Sequence, residues 1–548
     1  MLVRTVRNAV EAAVRDAFPD AGQVAVEIEV PRDASHGDYS TNVALTLAKP
    51  MKKPPRGLGE DLAAHLRKHD ALFDSVEVAG PGFVNVRFAL KFLQTNIAGL
   101  LAAGTDWGKS DAGAGQKIQI EFVSANPTGP LNVVNARAAA FGSTLTRLLK
   151  TAGYEAEAEF YVNDVGKQID LLGVTFLARY REAQGHGPAV IPEGGYQGEY
   201  LLDLARELNP AEIEPVLNGK SEQEAAGIMA KLAVDRILRW QETDLRAYGV
   251  IYDRWFRQSE LYPDRVQEAY KGLIDMGHVE TRDGAEWFQS TKFGDDQDRV
   301  VIRTHKAPTY FLADVAYHAD KHARGFQKVV DIWGPDHHGY IARMMAGAEA
   351  LGYGKNWLEI LLVQQVNLLS GGQPVKMSKR RGEFITLRDL LQEVGKDTAM
   401  FFFLMRRAES HLDFDIDLAK KESDENPVYY VKYAHARISG ILRKYRDAGG
   451  TEGKPNFALL TDPTERELMK VLLAFPDVIA GAAKDREPHR LTGYLREVAQ
   501  AFHLFYHHCR VITPDEALTA TRLALTHAAR IVLANGLGLM NIDAPERM

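Results

Sequence analysis

Between residues 117 and 153 the chain is written as strand, turn and helix. KIQIEFVSA alternates apolar and polar residues, a Pro/Gly turn follows, and the alanine-rich run 136–152 has helical spacing closed by Gly153. Another strand-like segment, EAEAEFYVND, comes directly after. A strand, a helix and a second strand in immediate succession predict a parallel α/β sheet. Similar units recur later: KVVDIWGPDHHG runs from strand to turn, 340–351 is helical, and WLEILLVQQVNLL is again strand-like. Such sheets bind ligands outside the carboxyl ends of their strands, and the turns at SANPTGP and WGPDHHG both lie at such ends.

The rest of the chain surrounds this sheet. At 548 residues it is too long for one core, and about 150 residues per domain predicts three or four units. Residues 1–107 form a small α+β unit: an amphipathic helix carrying Val3, Val6, Val10, Ala13, Val14 and Phe18, a strand at 24–30, a helix near 57–68, and the strand–glycine turn–strand VEVAGPGFVNVRF. The polar, glycine-rich stretch GKSDAGAGQ marks the first boundary, so the sheet domain spans 108–412, with an insertion at about 185–250. From 413 to 548 the pattern is almost purely helical, with helices expected at 427–446, 464–484, 489–511 and 517–537.

Composition narrows the class. No apolar run approaches the roughly 20 residues needed to span a membrane, and the first helix lacks the features of a signal peptide, which predicts a cytoplasmic protein without a membrane role. The single cysteine, Cys509, rules out an internal disulfide and any multi-cysteine zinc cluster. With 66 basic against 73 acidic residues the net charge is −7, which neither advertises nucleic-acid binding nor forbids a local basic face. Adjacent His337 and His338 diverge and lack further ligands at metal spacing, and His503, His507, His508 and Cys509 resemble a zinc cluster only in composition; no metal site is expected.

Two segments carry the chemistry. SANPTGPLNVVNARAAAFG puts a Pro/Gly turn before a helix N-terminus, where unpaired backbone N–H groups attract phosphate. KMSKRRGEF, more than 230 residues later, predicts a loop between Gly371–Gly372 and Gly382, with Lys376 and Lys379 flanking Met377 and Ser378. Lysines there supply point charge where a diphosphate leaving group forms. Together the two segments predict a site that activates a carboxylate with ATP.

In order along the whole chain, EFVSANPTGPLNVVNARAAAFG, YVNDVGKQ, PTYFLADVAYHADK, DIWGPDHHGYIARM, VKMSKRRGEFITLRDLL, NPVYYVKYAHARI, FHLFYHHCRVI and the terminal APERM resemble the arginyl-tRNA synthetases, a family of class I aminoacyl-tRNA synthetases. The resemblance implies a Rossmann-like catalytic domain, an N-terminal domain that contacts tRNA, and a helical anticodon-binding domain. It also implies activation of arginine by Mg-ATP and transfer to the terminal adenosine of arginine tRNA, with tRNA bound first, by an enzyme that is mostly a monomer and has no structural zinc.

Carried over residue by residue, it implies that Glu121, Asn126, Tyr310 and Asp314 hold arginine. Ser124, Pro127, Gly129, Asn132, Asn135, Asp336, His337, Lys376, Met377, Ser378 and Lys379 would hold ATP, with Asn132, Asn135, Lys376 and Lys379 acting in catalysis. Phe83, Asn85, Tyr433 and Met548 would touch tRNA, Phe83 being equally readable as core. Chemistry agrees for Asp314, because a carboxylate takes the planar guanidinium fork in two hydrogen bonds.

One place departs from the family. The turn usually reads His-x-Gly-His, whereas here it reads Asn132-Val133-Val134-Asn135. Asparagine keeps an NH2 donor but carries no positive charge. The two outcomes are an active enzyme supported by the intact lysines, which the undamaged remainder of the site favours, and an inactive paralogue that still binds tRNA.

Overall fold

The computed structural model describes residues 1–375, 385–451 and 453–548. Its centre is a five-stranded, all-parallel sheet. Across the sheet the strands run Leu358–Leu362, Lys328–Trp333, Lys117–Glu121, Glu155–Val162 and Arg254–Arg257. The first strand in sequence thus lies in the middle. From it the chain builds outward to one side and then returns to build the other. The strand order reverses between Lys117–Glu121 and Lys328–Trp333, and a crevice opens at such a reversal.

Helix Val133–Thr151 follows the central strand and is buried along most of its length. Helix Tyr310–Ala323 packs beside the crevice, its apolar residues forming a second core with Phe256, Phe288 and Met344. The expected strand run WLEILLVQQVNLL, 357–369, divides: Leu358–Leu362 joins the main sheet, while Val366–Ser370 pairs in parallel with Leu412–Asp415. The region expected as an insertion holds helices Tyr200–Arg206, Pro210–Leu217 and Glu222–Ala247. An antiparallel sheet of Val279–Arg282, Ala285–Phe288 and Arg299–Ile302 precedes the crevice helix.

The N-terminal unit is a three-stranded antiparallel sheet, ordered Tyr39–Thr41, Phe83–Phe88, Phe73–Ala79, and covered by helices. The alternating segment 24–30 is not a strand. Its only strand pairing among the described residues is Glu29 with Ser40, in a strand three residues long; Val26 is nevertheless buried, which accounts for the alternation. In the helical unit, the single helix expected at 464–484 is two, Pro463–Leu473 and Phe475–Lys484. Pro476 supplies no N–H and obstructs the preceding turn, so the helix restarts there. No helix among the described residues is long and apolar enough to cross a membrane.

Candidate active site

The turn leaving the central strand is strained. Val123 has φ 70° and Ser124 φ 40°, and the Ser124 N–H donates to Phe122 O at 3.0 Å, a tight three-residue turn about a β-branched residue. Such strain persists only where neighbours impose it. Ser124 Oγ donates to Glu121 Oε1 (2.9 Å) and accepts the Tyr161 N–H (3.1 Å), so it ties the turn to two strands. Buried Gln241 reaches across from helix Glu222–Ala247 and donates to Asn126 O (3.2 Å) and Gly129 O (2.8 Å), while Tyr200 Oη donates to Thr128 O. These holds leave the Asn126 side chain exposed and Pro127 buried.

Asn132 and Asn135 open helix Val133–Thr151 as a reciprocal cap. Asn132 Oδ1 accepts from the N–H groups of Val134 (2.9 Å) and Asn135 (3.1 Å), and Asn135 Oδ1 accepts from the Asn132 N–H (3.0 Å). Because backbone N–H groups need an oxygen, this cap fixes which way both amides face. Both NH2 groups therefore point away from the cap, and no acceptor among the described residues takes them. One turn along, buried Arg137 donates to Gln364 O (2.8 Å) and Arg407 O (2.9 Å), anchoring the helix to two loops. Burial pulls its guanidinium down to about 10.

Lys376, Met377, Ser378 and Lys379 lie outside the described residues. The chain that follows them is stitched to the cap: Thr386 pairs with Asn132 as an isolated antiparallel bridge, and the Leu387 N–H donates to Leu131 O at 2.8 Å. Arg388, at the start of helix Leu387–Val394, donates twice to buried Asp244 Oδ1 (2.9 and 2.8 Å) and lies over Trp240. One helix, Glu222–Ala247, thus holds the SANPTGP turn through Gln241 and the segment after KMSKRRGEF through Asp244.

Below the crevice the parallel register lines up three carboxylates. Asp331, Glu121 and Glu159 are direct neighbours on three adjacent strands, each nearly or fully buried. Helix Tyr310–Ala323 answers from above with one face. Lys321 Nζ, fully buried, donates to Glu121 Oε2 and Asp331 Oδ1, both at 2.7 Å, over the Tyr317 ring. Tyr317 Oη and Arg324, just past the helix end, bind Glu159. His318 Nε2 meets Asp331 Oδ2 and Nδ1 meets Asp314 O, both at 2.8 Å. Burial pushes Glu121 up despite the ammonium beside it; for Asp331 burial is outweighed by Lys321 and His318, which hold it down at about 2.

Asp314 stands one turn before His318, partly exposed to the crevice, and accepts the Tyr340 hydroxyl at 2.5 Å. Burial lifts its carboxyl to about 6, with the Tyr340 hydrogen bond opposing and Glu121 adding repulsion. Tyr310, exposed on the first turn of the same helix, lays its hydroxyl over Gly166, where a Cβ would come within 2.5 Å and φ is +97°. Tyr161 Oη and Asn163 Oδ1 are buried without partners among the described residues, and Tyr161 feels the charges of Asp314 and Glu121. Asp336 and His337 are exposed beyond the end of strand Lys328–Trp333. Among the described residues no group of three or more His, Cys, Asp or Glu is arranged to hold a metal ion.

Family models match from end to end: the arginyl tRNA synthetase N terminal domain over residues 4–88, the class I (R) tRNA synthetase catalytic domain over 96–411, and the DALR anticodon binding domain over 431–548. The chain belongs to the arginyl-tRNA synthetases. It is 44% identical to the arginine–tRNA ligase of Geobacter sp. (strain M21) over 98% of both chains, and 42% identical to that of Bacillus licheniformis over 100% of both. The solved arginyl-tRNA synthetase of Thermus thermophilus shares the fold, with a TM-score of 0.79 across 100% of each chain at 22% identity.

In this synthetase the remaining predicted residues lie on the N-terminal and helical units. Phe83 is exposed at the head of its strand, whereas Asn85 is buried between Ser40 and Glu77. Tyr433 is half-buried, stacked near Tyr429 and His503, and its hydroxyl accepts from Arg437 (2.8 Å); Met548 is exposed. The buried partners Asp331, Glu159, Lys321, His318, Gln241 and Asp244 were not singled out by sequence reasoning. A carboxylate at or near the end of each of KIQIE, EAEAE and KVVD was the available signal for the first two.

Proposed function

We propose that this synthetase is an active arginine–tRNA ligase that uses Asn132 and Asn135 in place of histidines. In the first step an arginine carboxylate oxygen attacks the α-phosphorus of Mg-ATP, the bond to the bridging oxygen breaks, and diphosphate leaves. In the second, a hydroxyl of the terminal tRNA adenosine attacks the arginyl carbonyl carbon and AMP leaves. The protein positions and stabilises; no side-chain nucleophile is required.

The observation that carries this reading is the convergence, at the crevice, of two carboxylates with a helix N-terminus whose two amides face outward. Asp314 and Glu121 suit a guanidinium, with Tyr310 beside it and Asn126 near the other end of the amino acid. The NH2 groups of Asn132 and Asn135, with Ser124, Pro127 and Gly129 shaping the turn, face the phosphates. Asp336 and His337 flank the adenosine, and Lys376, Met377, Ser378 and Lys379 cover the departing diphosphate. Phe83, Asn85, Tyr433 and Met548 belong to the tRNA path, the exposed pair offering the first contacts. The domains act as 1–107, 108–412 and 413–548, in a cytoplasmic monomer. An inactive paralogue finds no support in this geometry, because both donors are kept and oriented.

The test is exchange of labelled diphosphate into ATP. Exchange should require arginine and arginine tRNA together, and lysine or glutamine should not replace arginine. Tight tRNA binding with no exchange under any condition would overturn the reading.

A further inference from the structure

The row Asp331–Glu121–Glu159 places three carboxylates side by side in a sheet interior, an arrangement that repels itself unless cations are interleaved. Arg324 and Tyr317 satisfy Glu159, which leaves Asp331 and Glu121 to share Lys321. His318 adds a second partner to Asp331 alone, its Nε2 meeting Asp331 Oδ2 while its Nδ1 is occupied by Asp314 O. Asp331 therefore has two side-chain partners on the crevice helix, Lys321 and His318, and Glu121 has one, Lys321. The asymmetry matters because Glu121 is the member that ends its strand at the crevice and carries the strained Ser124 turn.

We infer that Lys321 is a positioning residue that determines specificity, holding Glu121 as an anion under the arginine guanidinium so that the pocket prefers a cationic side chain to a neutral one of the same shape. The inference deepens the proposed reading and rests on it. Without Lys321, burial and the neighbouring Asp331 both favour a proton on Glu121, which then offers a donor where the guanidinium needs an acceptor. A neutral ureido group, which brings an oxygen acceptor, would be tolerated better.

The experiment compares Lys321→Met and Asp331→Asn with the wild type, using arginine and citrulline as ligands. Calorimetry gives affinities and diphosphate exchange gives KM values. Lys321→Met should raise the KM for arginine at least tenfold, leave the KM for ATP within twofold, and cut the preference for arginine over citrulline at least tenfold. Asp331→Asn disturbs the same buried cluster but leaves Lys321 wholly to Glu121, so its arginine KM and its preference should stay within twofold of wild type. Equal losses in both variants would mean a merely structural cluster and overturn the inference, as would an unchanged preference in Lys321→Met. Should Lys321→Met fail to fold, Asp331→Asn still decides, because a tenfold loss there contradicts the asymmetry. A wild type that binds no arginine would instead bring down the functional reading itself.

Discussion

At the scale of single residues, the two asparagines do separable jobs with their two ends. The oxygens cap a helix and leave the nitrogens free of the cap, so Asn132→Asp keeps the acceptor and deletes the donor. Thermal stability should stay unchanged or rise slightly, since an acidic cap suits a helix N-terminus. Diphosphate exchange should fall by tenfold or more, as losing a transition-state donor costs about 3 kcal/mol and a negative charge near phosphate adds to it. Equal losses of stability and activity would assign the residue to capping alone. Asp314 gives a pH signature. Burial raises its carboxyl to about 6, so the folded protein holds this proton where an unfolded chain has released it. The stability it contributes is complete below about 4 and is lost as pH rises through 6. On the proposed role of Asp314, arginine needs the ionised form: its KM should rise about tenfold per pH unit below 6, and binding near pH 6 should release a proton. Calorimetry in buffers of different ionisation enthalpy measures that release, which Asp314→Asn should abolish.

Among elements, helix Glu222–Ala247 has the role its sequence least announces. Lying in what reads as an insertion, it grips the SANPTGP turn with Gln241 and, three residues on, the segment after KMSKRRGEF with Asp244. Asp244→Asn removes the charge that orients Arg388 while keeping the side chain's size. The KM for ATP should rise several-fold and that for arginine should not move; steady-state exchange kinetics would show the split, and a parallel rise in both would mean general loosening. The crevice helix Tyr310–Ala323 was legible in part. Tyr310 and Asp314 stand one turn apart in the sequence, but the inward use of Tyr317, His318 and Lys321 depends on the register of three strands, which no local pattern contains.

Over the whole molecule, the N-terminal and helical units are bolted together away from the crevice. Asp38 accepts the Phe88 N–H (2.9 Å) and Arg466 Nη2 (2.7 Å), Gln94 donates to Leu460 O, and Asn535 donates to Gly104 O and Trp107 O. Burial opposes the Asp38 charge, but Arg466 outweighs it and its carboxyl lies below the usual range. Its stabilisation is therefore present above about 4 and lost as pH falls through the folded value. Asp38→Ala strands a guanidinium and an N–H at the joint and should cost about 3 kcal/mol, seen as an earlier urea transition of the N-terminal unit. Asp38→Asn should flatten the acid limb of the same curve. A variant with wild-type urea and acid curves would show that the joint does not depend on this pair.

Periodicity and turn chemistry by themselves determined the class of each unit and the position of the parallel sheet's opening strand, because these are properties of neighbouring residues. Where local signals were ambiguous they failed: 24–30 alternates like a strand without a partner long enough to pair, and 464–484 is interrupted by Pro476. Only the tertiary structure decided that Glu121 shares a lysine with Asp331, that an inserted helix holds both the SANPTGP turn and the chain that follows KMSKRRGEF, and that the amides of Asn132 and Asn135 turn away from the cap. The first two depend on strand register and on contacts between residues more than a hundred positions apart. The third depends on which amide atom the helix's own N–H groups claim, and that is settled only once the helix has formed.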